Sequence, residues 1–442
     1  MDGFLRYFLA PLDTATVLDF LALISPFSSV ANAVFWLLML AVPARFLLPY
    51  VVLWIVGVGE PDRDIDEPLP VPSGKLPFIS VVIPGRNEAA GIVHTVRSIL
   101  HAGYSDLEVV YVDDGSDDDS VSRLRGLAAT LPRAADGTER LRVFASPRRN
   151  GKPTALNIGI HLARGSLIAV VDADCDVQYG SFHHWIRPFE DERIGAVAAN
   201  IRVRNANASV LARLQDCEYA INVTLSRAWR AALDLLAIVP GAGGMFRASI
   251  VRNLGGFDTG LGDDTDMTLK LRKAGWRLAF AMRAVVWTDV PTSWRVLLRQ
   301  RSRWERNMVK IRLRKHRDLL SPRRFGWTNT LITVDLVLVR IVLPVIAVWE
   351  VFAMFLSGPQ HTPEVLTVLY WLTALGIFFK LLIARDVDRT PQPVNICVVP
   401  LMPLFRIVLR LVLLAAITRE SLRIGQRHAY VPTHIWQETP HW

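Results

Sequence analysis

Between residues 78 and 290 the chain alternates short apolar runs with longer amphipathic segments. Short apolar runs bounded by Pro, Gly, Asp or Asn are typical of buried strands. Four such runs lie at 78–83, 107–112, 141–144 and 165–171. The segments between them, at 89–101, 118–129 and 153–163, have the length and pattern of helices. This alternation predicts an α/β domain with a mostly parallel sheet and right-handed crossovers.

Longer apolar stretches flank this domain and predict membrane helices. One stretch, 31–57, precedes the domain, and 327–356, 365–383 and 395–418 follow it, which predicts one membrane helix before the domain and two or three after it. About 20 apolar residues in a helix cross a hydrocarbon core of ~30 Å. The turn 357–361 has no Lys or Arg and is therefore expected outside. The last stretch carries Arg406 and Arg410, which predict either an interior polar path or a broken, interfacial segment.

These patterns divide the chain into six parts. They are an N-terminal interfacial and transmembrane segment (1–57), a linker (58–77), the α/β domain (78–290), interfacial helices with a basic run (291–326), C-terminal transmembrane segments (327–418) and a tail (419–442). Within the domain, residues 208–236 predict a helix with an apolar stripe. An interfacial position on the membrane is slightly favoured for it over packing on the domain surface.

Composition and charge support a membrane protein. Apolar residues make up 51% of the chain, and the formal net charge is +9. Residues 301–325 contain ten Lys or Arg against Glu305 and Asp318. Because this run adjoins an apolar stretch, it predicts a cytoplasmic flank beside anionic lipid, not an arm that binds nucleic acid.

The three cysteines support neither a disulfide framework nor a zinc site, and we expect no cleavable signal peptide.

Polar residues follow the first predicted strands. Asn87 and Glu88 stand at a helix entry, where they can hold a base or ribose or can simply cap the helix. A carboxylate fixed at a strand tip, such as Asp114, can accept from the imide N–H of uracil, although Asp-Gly is also common in turns. Lys152 can place a point charge opposite a diphosphate or be an ordinary surface lysine. Because ligands of such sheets bind beyond the carboxyl ends of the strands, we expect one shared site.

Asp172 and Asp174 directly follow the fourth predicted strand and predict a metal site. Alternation along a strand puts both side chains on one side. Like charges so close require a counter-ion, and a hard divalent cation such as Mg²⁺ accepts two carboxylates plus substrate phosphates. A solvated strand end is the alternative.

The run Gly262-Asp263-Asp264 predicts acid–base chemistry at a helix entry. Asp264 can deprotonate an acceptor hydroxyl as that hydroxyl attacks an anomeric carbon. A single base and a stabilised leaving group give one displacement with inversion, whereas a second carboxylate nucleophile would allow retention. Asp263 beside it is a candidate substrate contact. Acidic residues in the first turn of an ordinary helix are the alternative.

Gln300, Arg303 and Trp304 share one helical face because they are spaced i, i+3, i+4. Arg303 can neutralise a departing diphosphate, and Trp304 offers a flat apolar face to a sugar ring. An interfacial Trp/Arg pair beside a membrane has equal weight if this motif is taken alone.

Taken together, these motifs resemble the inverting, processive family 2 glycosyltransferases, which include cellulose, hyaluronan, chitin-type and poly-N-acetylglucosamine synthases. The resemblance covers about residues 78–310 by motif and the flanking segments by architecture. It implies a GT-A fold in which Asp114 contacts uracil. It also implies that Asp172 and Asp174 bind diphosphate and Mg²⁺ or Mn²⁺, and that Asp264 is the base.

The same resemblance assigns the acceptor side of the site. It implies that the motif of Gln300, Arg303 and Trp304 binds diphosphate and the acceptor end. Gly243 and Gly244 lie in a glycine-rich segment that resembles the family's acceptor-lining segment. The base motif reads Gly-Asp-Asp, closer to hyaluronan and chitin-type synthases than to the Thr-Glu-Asp of cellulose synthases. The few membrane segments predict that a secretion channel is small or is built with a partner.

The leading hypothesis is a membrane β-glycosyltransferase that extends a polysaccharide from UDP-glucose or UDP-N-acetylglucosamine. The alternative is a transferase of the ceramide or hopanoid type, which adds one sugar to a lipid. A catalytically silent scaffold or transporter is disfavoured because every expected carboxylate is present. The expected partners are the UDP-sugar, a carbohydrate or lipid acceptor, membrane lipids, and a homo-oligomer or secretion partner. We expect a bacterial inner membrane location with a cytoplasmic catalytic domain.

Overall fold

The computed structural model describes residues 51–53, 55, 76–133, 137–259, 262–346, 348–349, 352, 362–388, 394–422, 432 and 434. The predicted membrane segment 31–57 therefore lies outside the described residues, apart from 51–53 and 55. Most of the tail 419–442 also lies outside them.

One eight-stranded sheet organises the domain, with the strand order β3-β2-β1-β4-β7-β6-β8-β5. Its strands are β1 (Ile79–Gly85), β2 (Leu107–Asp113), β3 (Leu141–Ala145), β4 (Leu167–Val170), β5 (Cys175–Val177), β6 (Ile194–Val203), β7 (Gly244–Arg247) and β8 (Arg277–Thr288). The strands β1, β2, β3 and β4 pair in parallel and confirm the four strands that the sequence predicted.

The other half of the sheet was not anticipated strand by strand. Here β7 runs antiparallel between β4 and β6, and β8 pairs parallel with β6 and antiparallel with β5. The strand β6 is buried along its whole length although it contains Asn200 and Arg202. Both side chains have tertiary partners: Asn200 accepts from Thr224 Oγ1 at 2.7 Å, and Arg202 pairs with Asp388. These distant partners leave no local pattern, so the strand is hard to recognise in sequence.

Helices cover both faces of the sheet and make a three-layer α/β domain. They are α1 (Ile92–Leu100), α2 (Ser120–Thr130), α3 (Lys152–Leu162), α4 (Ser181–Ile186), α5 (Val210–Tyr219), α6 (Ser226–Ala232), α7 (Ala248–Asn253) and α8 (Asp263–Lys273). The apolar faces of α1, α2 and α4 form one core against the sheet, and those of α3, α7 and α8 form the other. This arrangement confirms a mostly parallel α/β domain.

Long helices follow the domain. They are α9 (Trp294–Met308), α10 (Pro322–Val337), α11 (Thr362–Val387) and α12 (Met402–Ser421), with a π-helical turn (Val309–Lys315) after α9 and another (Leu338–Val342) after α10. Among the described residues, three helices are long and apolar enough to cross a membrane: Pro322–Ile346, Leu366–Val387 and Ile396–Ser421. The sequence predicted two or three spans after the domain, and these helices correspond to the three stretches from which that count was made.

The domain packs directly onto these helices. The predicted helix 208–236 is α5 and α6, joined through a π-helical turn (Ala220–Leu225). Its apolar stripe forms one core with residues of α11 and α12, including Ile377 and Phe405. The stripe is therefore covered by protein, so packing, which was the less favoured interpretation, accounts for it.

Candidate active site

The carboxyl ends of β1, β2 and β4 lie side by side and bring the first polar motifs together. In the parallel register Gly85 stands opposite Asp113, and Val82 stands opposite Val170. The residues that follow these strands, including Glu88 and Asp172, therefore emerge at one edge of the sheet. This is the edge where α/β sheets bind their ligands.

Asp114 holds the loop that leads to Lys152. Its carboxylate accepts from the backbone N–H of Asn150 at 2.6 Å and of Gly151 at 2.9 Å. Burial raises the pKa of Asp114, although these two hydrogen bonds act in the opposite direction. Its position at a strand tip predicts a uracil contact for this carboxylate. That contact stays a prediction, and the structure adds a positioning role that had no local signal.

Asn87 and Glu88 form the turn after β1. Asn87 has a positive φ of 59°, and its Oδ1 accepts from the N–H of Asp117 at 2.9 Å. The backbone N–H of Glu88 donates to Ser120 Oγ at 2.8 Å. The Asn87 side chain therefore links the turn after β1 to the turn after β2. The Glu88 side chain lies at the edge of the sheet where we expect the nucleotide to bind.

Three carboxylates, Glu88, Asp172 and Asp174, share this edge, and the pKa values of Glu88 and Asp174 are raised there. Burial, followed by repulsion from Asp174 and Asp172, raises the pKa of Glu88 to about 7. Partial desolvation, followed by repulsion from Asp172, raises the pKa of Asp174. Groups that repel in this way bind a cation favourably.

The donor set fits a Mg²⁺ or Mn²⁺ ion that is completed by substrate. In the described part of the chain, no three Asp, Glu, His or Cys side chains converge as a ready-made metal cage. Mg²⁺ commonly takes one or two carboxylates and obtains its remaining ligands from phosphates and water. Asp172 and Asp174 suit that mode of binding.

Lys152 links two of the predicted motifs. Its Nζ lies 2.5 Å from Asp172 Oδ1, at the start of α3. Desolvation lowers the pKa of Lys152, but attraction to Asp172, Asp263 and Asp264 outweighs it and raises the pKa. The lysine is therefore charged and lies between the predicted metal ligands and the predicted base.

Asp264 lies in the first turn of α8, where its Oδ1 accepts from the N–H of Thr265 at 2.7 Å. Burial and then repulsion from Asp263 raise the pKa of Asp264 to about 6. A Cβ built on Gly241 would lie 3.5 Å from Lys152 Nζ and 3.8 Å from Asp264 Cβ. The glycine-rich loop, the lysine and the predicted base thus meet at one point.

Gly243 and Gly244 place this loop against the sheet. The carbonyl of Gly243 accepts from the N–H of Ala199 at 2.8 Å, and Gly244 pairs with Val170 at the start of β7. A Cβ on Gly244 would lie 2.9 Å from the carbonyl oxygen of Pro240, so only glycine fits. The loop predicted to line the acceptor site therefore begins beside the end of β4, where Asp172 follows.

Helix α9, which carries the motif of Gln300, Arg303 and Trp304, packs beside the entry of α8. Trp304 is 37% exposed. One helical turn after Arg303, Asn307 packs against Gly262 at the entry of α8, where a Cβ on the glycine would lie 3.3 Å from Asn307 Cβ. Gly262 has a φ of +81°, which a residue with a Cβ adopts only with strain. Helix α9 therefore lies directly beside the motif that contains Asp264.

Sequence reasoning missed the residues that hold α9. The guanidinium of Arg301 makes two hydrogen bonds to Glu218, of 3.1 and 2.8 Å, and lies 4.5 Å from the ring centroid of Trp304. A cation over an indole face fixes the ring. Arg301 and Glu218 are 83 residues apart, so no local sequence pattern predicts that they form a pair.

The basic run 301–325 is largely paired within the protein. Arg306 and Arg314 bind Glu420, and Lys315 binds Asp266 at 2.6 Å. The position of this run beside an apolar stretch predicts a cytoplasmic flank next to a membrane. The structure shows a second use, since these cations join α9 and the turn after it to α12 and α8.

The fold and this constellation define a GT-A-type glycosyltransferase domain, which is followed by helices long and apolar enough to span a membrane. Residues 77–307 match the model of the glycosyltransferase-like family 2, and the chain belongs to this family.

Two curated relatives illustrate the range of the family. A probable glycosyltransferase, YdaM of Bacillus subtilis, is 30% identical over 236 residues, which cover 52% of this chain and 55% of the relative. The chain therefore spans about half the length of that relative. The poly-β-1,6-N-acetyl-D-glucosamine synthase of Staphylococcus aureus is 27% identical over 301 residues, which cover 64% of this chain and 69% of the relative.

A solved structure supports the fold. A mannosyltransferase from Pyrobaculum calidifontis, in complex with GDP-Man and Mn²⁺, aligns with a TM-score of 0.60 and 21% identity. The alignment covers 87% of this chain and 98% of the mannosyltransferase. At this identity the likeness concerns the fold alone.

Proposed function

We propose that this protein is a membrane-bound, inverting glycosyltransferase that moves a sugar from a UDP-sugar to a growing β-linked polysaccharide. The donor belongs to the UDP-glucose or UDP-N-acetylglucosamine class. The observation that carries the proposal is the charged Lys152, which lies between Asp172 and Asp264. This position supports a diphosphate site and a base that lie close together.

The donor is held at the carboxyl ends of the strands. Asn87, Glu88 and Asp114 surround the uridine, and Lys152 faces the diphosphate. When bound by Asp172 and Asp174, Mg²⁺ or Mn²⁺ supplies positive charge that stabilises the diphosphate. Arg303 adds a guanidinium on the other side of the leaving group.

Transfer is a single displacement. The acceptor hydroxyl, placed against Trp304 and the loop with Gly243 and Gly244, attacks the anomeric carbon. Its proton passes to the Asp264 carboxylate, and a glycosidic C–O bond forms. The bond between the anomeric carbon and the phosphate oxygen breaks, and UDP departs with the electron pair. One base without a carboxylate nucleophile gives inversion. Asp263 supports this site by contacting the substrate.

A glycolipid product is the second candidate, and one observation favours it. Helix α9 presents exposed apolar side chains, Trp294 and Val296, shortly before the first candidate membrane span. A lipid hydroxyl could reach Trp304 along this surface. The first candidate is favoured by the similarity to the poly-N-acetylglucosamine synthase, at 27% identity.

We place the protein in a bacterial inner membrane with the catalytic domain in the cytoplasm, where UDP-sugars reside. The positive charge next to the first candidate span supports this orientation. A homo-oligomer or a secretion partner is also part of the proposal, because the three candidate spans found among the described residues would form only a small channel.

One assay separates the two products. Purified protein in nanodiscs receives a panel of labelled UDP-sugars with Mn²⁺, and the product is resolved by size and by solvent extraction. Label in a large, water-soluble product supports a polysaccharide synthase and names its sugar. Label that moves entirely into the organic phase establishes the glycolipid alternative instead.

Asp264→Asn tests the mechanism. We expect transfer to be abolished while UDP binding survives, because the amide cannot accept the proton but leaves the nucleotide contacts in place. Transfer is measured with the labelled donor, and binding is measured by calorimetry. Normal turnover in this variant would remove Asp264 from the role of base.

A further inference from the structure

Arg204 joins the ends of three neighbouring strands beside the candidate active site. It follows β6, and its backbone N–H donates to the carbonyl of Thr288 at 2.9 Å. Its guanidinium makes two hydrogen bonds to Asp289, of 3.0 and 2.7 Å, just after β8. It also binds Asp176 on β5. Because β6, β8 and β5 are adjacent in the sheet, this one side chain fixes their ends relative to one another.

The same guanidinium reaches the loop with the proposed metal ligands. Arg204 Nη2 donates to the backbone carbonyl of Asp174 at 3.4 Å. On the opposite side, the hydroxyl of Thr95 donates to the carbonyl of Ala173 at 2.9 Å. The backbone of this loop is thus held from β6 and from α1. A side chain on a loop held in this way keeps a defined direction.

Arg204 also neutralises a third carboxylate. Asp172, Asp174 and Asp176 occupy every second position of the chain, so three carboxylates fall within five residues. Besides Arg204, the carboxylate of Asp176 contacts His94 Nε2 at 3.0 Å. Its Oδ1 is buried and has no hydrogen-bond partner among the described residues. Without the arginine, Asp176 would repel Asp174 and compete for a cation.

We propose that Arg204 is a positioning residue for the divalent-cation site: it fixes the backbone at Asp174 and withdraws Asp176 by pairing with it. Asp172 and Asp174 are then the two carboxylates that face the diphosphate. This inference rests on the proposed function, which includes the cation. Residues that orient metal ligands without touching the metal commonly change metal affinity about 10–100-fold when they are replaced.

The test is the binding of Mn²⁺ to the full-length protein in nanodiscs with saturating UDP, followed by electron paramagnetic resonance. We expect Arg204→Gln to weaken Mn²⁺ binding at least about 10-fold. The Mn²⁺ concentration that gives half-maximal transfer should rise equally, while kcat at saturating Mn²⁺ changes little. Arg204→Lys should recover part of the Mn²⁺ affinity, because lysine keeps the positive charge but cannot make bidentate hydrogen bonds to a carboxylate.

Arg193→Gln is the matched control. Arg193 lies at the other end of β6 and also makes paired hydrogen bonds to an aspartate, Asp191, but it is far from the loop in the sheet. The Arg193→Gln variant should bind Mn²⁺ with the same affinity as the wild type. Thermal unfolding of each variant shows whether it is folded.

The outcomes distinguish the inference from the function. Wild-type affinity in a folded Arg204→Gln variant would overturn the positioning role and leave the proposed function intact. Equal weakening in the Arg193→Gln control would also overturn it, because the effect would then be general. If the wild type binds no Mn²⁺ with UDP, both the cation in the proposed function and the role of Arg204 fail.

Discussion

Removing the charge of Lys152 should shift the pH dependence of transfer. Lys152 Nζ and Asp264 Cβ lie within 3.5 and 3.8 Å of the same point beside Gly241, so they are close to each other. For unit charges about 7 Å apart, the attraction is about 2.4 kcal/mol at an effective dielectric constant of about 20. This corresponds to about 1.7 pH units. Because 41% of the Lys152 side chain is exposed, solvent screens the attraction, and we expect a shift of about one unit.

The direction follows from the role of the base. Asp264 must be ionised to accept a proton, and its pKa is raised to about 6. Activity is therefore present above this pKa and is lost as the pH falls through it. Lys152 lowers the pKa of Asp264, so Lys152→Gln should raise it and move the acid limb of kcat/KM from about pH 6 to about pH 7. The variant should thus lose more activity at pH 6 than at pH 8.

The assay is the pH profile of kcat/KM with labelled donor and saturating metal. Lys273→Gln is the control, because Lys273 pairs with Asp318 at 2.6 Å, away from the site, and its loss should leave the limb in place. Glu88, with its pKa raised to about 7, is a second group that titrates nearby. The profiles are therefore repeated in a Glu88→Gln background. An acid limb that does not move when Lys152 is replaced would refute the link between the two groups.

Three further predictions address the metal and the packing. Chelation with EDTA should abolish transfer and added Mn²⁺ should restore it; full activity in EDTA would remove the metal from the mechanism. Gly262→Ala should lower the free energy of unfolding by about 1–2 kcal/mol or more, because φ is +81° and the new Cβ would lie 2.9 Å from Ile311. Glu420→Gln should cost about 3 kcal/mol, because Arg306 and Arg314 lose a buried carboxylate. Thermal unfolding measures both, and an unchanged midpoint in either variant would contradict the packing that the structure shows.

The strands in the first half of the fold could be predicted from the sequence, because each one is marked by a local pattern of residues. Each of the four predicted strands is a short apolar run, and each of the first three is followed by a turn and a helix. The spans after the domain are also local, since length and hydropathy decide them. The second half contains β6, in which Asn200 and Arg202 interrupt the apolar pattern. Their partners, Thr224 and Asp388, come from other elements, so only the folded chain explains the strand.

The sequence by itself determined the kinds of residue at the site and their order. Carboxylates after strands and an i, i+3, i+4 motif on a helix follow from the periodicity of strands and helices. The tertiary structure decided how they meet: Lys152 between Asp172 and Asp264, and α9 against Gly262. It also revealed the supporting residues, Arg301 with Glu218 and Arg204 with Asp289. Such pairs join residues far apart in the chain, and hydrogen-bond geometry exists only once the backbone has brought both partners together.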